Sequence, residues 1–145
     1  MGFFRAFKNL AKSSMGDTKA MIEQGHWMMK NGQIDAAINC YSGAAIKGEP
    51  EAMLHWGSSL IDYGNSDIDT FAGLTQIYKA GIHYSGYQST INNVFENYKV
   101  QALVQLDEDA LENIKAGALS NPYRAPDESD KRSADMVLKM ILEKK

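Results

Sequence analysis

The chain has 145 residues, 44% of them hydrophobic and 23% charged, which is the composition of one ordinary globular domain rather than a disordered tail. Its net charge of −3 provides no general attraction for phosphate, so nucleic acid is not expected as a partner. Cys40 is the only cysteine, which excludes an intramolecular disulfide and a cysteine-rich metal site.

Phe3, Phe4, Phe7 and Leu10 recur at helical spacing with Arg5, Lys8 and Lys12 on the other side, so residues 1–15 are expected to form a short amphipathic helix. Its phenylalanine face would close the end of a helical stack, with a membrane surface as the lesser alternative, since three basic residues are few for an anchor. The same charges interrupt the apolar core that a secretory signal needs, and no run of about 18 apolar residues occurs, so a cytoplasmic protein is expected.

Asp17 or Thr18 caps a helix over 19–31, with Gly32 at its end. A helix over 34–47 follows, its apolar residues Ile34, Ala37, Ile38, Tyr41, Ala44 and Ala45 on one face, and Gly48 ends it. Pro50 opens a helix running to Tyr63 and closed by Gly64. Residues 65–69 read as a polar loop, and Asp69 caps a helix over 70–80 that stops at Gly81. After a loop over 83–88, a helix is expected over 89–105, then one from Asp107 to Gly117. A break at 121–127 precedes a last helix over 129–143 that buries Met136, Val137, Met140 and Ile141 and takes Lys144 and Lys145 at its dipole end. No segment alternates as a strand does, so the fold class is all-α.

Ala20-Met21-Ile22-Glu23-Gln24-Gly25, with Gly32 beyond it, has a near copy 32 residues later in Ala52-Met53-Leu54-His55-Trp56-Gly57, with Gly64 beyond. Self-similarity of this period marks stacked repeats. Gly25, Gly32, Ala37, Tyr41 and Ala44 stand at the small, turn, alanine, aromatic and alanine positions of a helix pair, and in this the chain resembles the tetratricopeptide repeat and its Sel1-like relative. In the second copy Gly57 and Gly64 recur, and Gly73, Ile77 and Ala80 follow once four residues are inserted, with Ile77 where an aromatic is usual. A longer loop inside the pair favours the Sel1-like relative. The resemblance covers residues 19–81 and implies an α-solenoid of antiparallel helix pairs. The whole chain then reads as a single helical-repeat domain: the N-terminal helix, two repeat-like pairs over 17–81, divergent helices over 82–120, and a loop and closing helix over 121–145.

The resemblance also implies a concave groove lined by the first helix of each pair, here Ile22, His26, Met29, Leu54, Ser58 and Ile61, accepting a peptide or helix from another protein. A non-catalytic interaction module is therefore expected, with an immunity- or antitoxin-like inhibitor of a partner enzyme and a peripheral membrane adaptor as alternatives. Self-association into a homo-oligomer is compatible with such a module. The lysine and asparagine of the carboxylate clamp that holds chaperone tails are absent, Ile22, His26 and His55 standing in their places. No phosphate loop, nucleophile elbow or dinucleotide fingerprint occurs, so neither catalysis nor a cofactor is expected. Asn65, Asp67 and Asp69 alternate like the start of a calcium loop, but Thr70 and Gln76 replace its glycine and glutamate, so a helix-capping loop is expected there. His26, His55 and His83 show no metal-ligand spacing within one helix and read as groove or surface residues, so no metal is expected.

Overall fold

The Asp17 carboxylate accepts the Ala20 amide at 3.2 Å and so starts the first described helix, as its position before an apolar-periodic stretch predicts. In the computed structural model, which describes residues 17–83, 88–120 and 125–145, the elements are α1 (Thr18–Lys30), α2 (Ile34–Ile46), α3 (Pro50–Tyr63), α4 (Asp67–His83), α5 (Gln88–Val94), α6 (Tyr98–Val104), α7 (Glu108–Leu119) and α8 (Glu128–Glu143). No strand occurs among the described residues, so the protein is all-α. The expected amphipathic helix over 1–15, the loop core at 84–87 and the Asn121–Arg124 part of the break lie outside the described residues.

The described residues divide into two compact units, one ending at Trp56 and the other beginning at Gly57, with the boundary inside α3. In the first, α1 and α2 form an antiparallel hairpin. Gly32 takes φ +78° at the turn and Gly48 takes φ +94° after α2, the left-handed conformation that a side chain disfavours. Ala37 and Ala44 are fully buried between the helices, and Tyr41 lies over Gly25, where a Cβ would come within 2.5 Å of the tyrosine ring. The small residue admits the ring, and the ring fills what the small residue leaves open.

In the second unit the C-terminal half of α3 packs on α4 through two glycines. A Cβ on Gly57 would meet the Gly73 carbonyl at 2.5 Å and Ile77 at 2.7 Å, and one on Gly73 would meet the Gly57 carbonyl at 2.5 Å. Gly57 thus faces Ile77 as Gly25 faces Tyr41, at the offsets read from the sequence. The two turn glycines differ. Gly64 does not share the positive φ of Gly32; its constraint is space, since a Cβ would strike the Leu60 carbonyl and crowd Asp69 at 2.6 Å.

Helix α4 is the hub of this unit, packing against α5, α6, α7 and α8, with Phe71, Leu74 and Ile77 among its buried residues. It starts earlier and ends later than expected, running past Gly81 to His83. Ser66, not Asp69, caps it: the Ser66 hydroxyl accepts the Asp69 amide at 3.1 Å, while the Asp69 carboxylate turns back to accept the Asn65 amide at 3.1 Å. The helix expected over 89–105 is two short ones. Asn97 ends the continuity by accepting the Lys99 amide at 2.9 Å and restarting the chain as α6. Helix α7 runs through Gly117 to Leu119, and that glycine is instead a packing position, where a Cβ would meet Ile68 at 2.7 Å.

Helix α8 opens on a reciprocal capping box between Asp127 and Asp130. Val137 and Ile141 are buried as expected and Met140 is half-buried, but Met136 is exposed, because the buried stripe runs through Ser133, Ala134, Val137, Leu138 and Ile141. The terminal lysines serve other elements. Lys145 Nζ donates to the Val104 carbonyl at 2.7 Å and to that of Leu106, closing the end of α6, and Lys144 lies 5.5 Å from the Phe95 ring centroid.

Candidate functional site

The Tyr41 ring that Gly25 admits carries its hydroxyl out of the buried hairpin to the His26 imidazole. The Tyr41 oxygen lies 2.6 Å from His26 Nδ1, across 15 residues of sequence. Burial, with a smaller contribution from Cys40, pushes the Tyr41 phenol up to about 12, so the hydroxyl stays protonated at neutral pH.

The N-terminal half of α3 brings two more groups to the same place within the first unit. Glu51 and His55 are one helical turn apart and share a face, with Glu51 Oε1 3.7 Å from His55 Nε2. The His55 ring meets His26 edge-on, with centroids 4.6 Å apart and an interplanar angle of 86°, and stacks on Tyr41 at 5.3 Å and 27°. One ligand atom from each of His26, Glu51 and His55 lies within 4.8 Å of the others. Loss of hydration and the neighbouring His26 hold His55 below the usual imidazole range, against the opposing pull of Glu51. His55 is therefore neutral at pH 7, with a lone pair to offer. The side chains remain reachable, 53% exposed for Glu51 and 35% for His55.

Of the groove set expected from the sequence, His26 is exposed and Met29, Leu54 and Ser58 are half-buried, whereas Ile22 and Ile61 are 5% and 2% exposed and sit in the core. Ile61 is occupied by α4, its side chain lying against Gly73. The set is also divided between the units, with Ile22, His26, Met29 and Leu54 in the first and Ser58 and Ile61 in the second. What sequence reading missed is the convergence of His26 with Glu51 and His55. The Glu51–His55 spacing of four was a visible signal of a shared helix face, but His26 joins it only through tertiary packing. Cys40 is half-buried beside Met28, Sγ to Sδ 3.8 Å, and burial raises its thiol pKa, as befits a packing residue.

The second unit carries exposed aromatic surface instead. Tyr98 is 76% exposed and Tyr63 about half. Lys99 Nζ donates to the carbonyls of Asp62 at 3.2 Å and Gly64 at 3.0 Å, tying the segment that bears Tyr98 to the one that bears Tyr63. No helix among the described residues is long and apolar enough to cross a membrane.

No protein-family model matches the chain, and no match is found among curated proteins or solved structures.

Proposed function

We propose that this chain is a non-catalytic protein–protein interaction module built from tetratricopeptide-like or Sel1-like helix pairs. The observation that supports the reading is the recurrence of one packing solution: Gly25 against Tyr41 and Gly57 against Ile77. Helix pairs repeated in one register present their first helices as binding surfaces in proteins of this architecture. The accessible members of the expected groove in the first unit, His26, Met29 and Leu54, supply two apolar side chains and one polar point. The exposed tyrosines of the second unit add side chains of the kind that interfaces favour.

The test is an affinity capture from the source organism's lysate with the full chain as bait, wild type against Met29→Glu plus Leu54→Glu. Both substitutions fall at half-buried positions, and circular dichroism checks that the variant is folded. A partner captured by the wild type and lost in the variant supports the reading. Equal recovery by both proteins overturns the groove assignment.

A further inference from the structure

We propose that His26, Glu51 and His55 form a binding site for a divalent transition-metal ion of the zinc class. Two imidazoles and one carboxylate are the donor set that such borderline ions prefer, whereas Mg²⁺ and Ca²⁺ require oxygen-rich shells. One candidate ligand atom from each residue already lies within 4.8 Å of the others, so a small closure of side chains brings all three residues onto one ion. Glu51 and His55 are preset by their shared helical turn, and His26 reaches them from a different helix of the same unit.

Two features distinguish this cluster from a chance meeting of surface groups. The first is the Tyr41 oxygen at 2.6 Å from His26 Nδ1. A metal-bound histidine characteristically donates its second ring N–H to such an outer partner, which fixes both its tautomer and its orientation. With Nδ1 engaged by Tyr41, Nε2 is the nitrogen left for the ion. The second is that Tyr41 is itself immobilised, 3% exposed and seated on Gly25, so the outer partner is part of the hairpin core and not a mobile surface group. Tyr41 is therefore a positioning residue, and three protein ligands leave room for water or a partner's side chain to complete the shell.

The experiment is calorimetric titration of the metal-stripped, untagged full chain with Zn²⁺ alone, repeated with Mg²⁺. One equivalent of Zn²⁺ bound with a Kd of about 1 μM or tighter is expected, with no heat from Mg²⁺. His26→Gln, His55→Gln and Glu51→Gln should each weaken binding at least about 10-fold, the last at an exposed helical position where the change disturbs folding least. Tyr41→Phe keeps the ring on Gly25 and should weaken binding by about 10-fold while the variant stays folded, a separation that a purely structural role for the tyrosine does not produce. His83→Gln should leave the affinity unchanged. Zn²⁺ binding that survives His26→Gln and His55→Gln within a factor of two overturns the site. Loss of binding in His83→Gln, or a wild-type Kd weaker than about 1 μM, overturns it equally.

Discussion

Lys79 Nζ donates to Asp130 Oδ1 at 2.9 Å with both side chains buried, 6% and 8% exposed, and it also lies 3.5 Å from Asp127 Oδ2. A cation on the hub helix α4 thus meets the two carboxylates that cap α8, and the Lys79–Asp130 pair at the N-terminus of that helix is buried inside the unit. Burying such a pair confers little net stability, but removing one partner is costly, because the charge left behind has lost both water and its counter-ion. Lys79→Ala is therefore expected to destabilise the protein by about 3 kcal/mol in urea unfolding followed by circular dichroism. A loss under about 1 kcal/mol would show that water reaches the carboxylates, as it does at surface pairs.

The glycines at the helix crossings should rank by what blocks them. At Gly57 an added methyl meets the backbone carbonyl of Gly73, which moves only if a helix moves. At Gly25 it meets the Tyr41 ring, which can give a little at the expense of its packing. Gly57→Ala is expected to cost about 3 kcal/mol and Gly25→Ala about 1–2 kcal/mol, after allowance for the better helix propensity of alanine. Thermal melts of the two variants check the order, and a Gly57→Ala protein as stable as the wild type would mean that the helices separate freely.

Cys40 should react slowly. Burial favours its neutral thiol, so the folded protein holds less thiolate at pH 8 than an unfolded chain does, and the Met28 thioether covers one approach. The sign follows directly. A thiol pKa raised above 9.0 in the folded state contributes its stability below pH 9, and that contribution is lost as pH rises through the folded value. Alkylation by iodoacetamide at pH 8 should be at least several-fold slower in buffer than in concentrated urea, and equal rates would place the thiol in solvent.

Much of the fold was legible because its signals are local. Asp17, Gly32, Gly48 and Asp107 act on neighbours within four residues, and each stands where its residue type predicts. The misplacements have local causes too. Ser66 and Asp69 can both cap, and only the reciprocal bond to Asn65 decides between them. Asn97 and Gly117 are each compatible with continuing or ending a helix: the Asn97 side chain caps the Lys99 amide and restarts the chain, whereas Gly117 stays helical and packs against Ile68. The buried Lys79–Asp130 pair, 51 residues apart, and the approach of His26 to Glu51 and His55 left no periodic trace. Helical periodicity shows which residues share a face of one helix. It does not show which faces meet.

The matched glycine contacts have one more consequence. Counted by the register that relates the two helix pairs, His26 corresponds to Ser58 and Tyr41 to Ile77, so the polar couple of the first pair is answered in the second by a small hydroxyl and an aliphatic side chain. Both pairs set a glycine against a larger side chain, but only the first joins a hydroxyl to an imidazole as it does so. If the two arose by duplication, the architecture was kept in both and the chemistry in one. A grafted second site, Ser58→His with Ile77→Tyr, would ask of the second scaffold what the first already does.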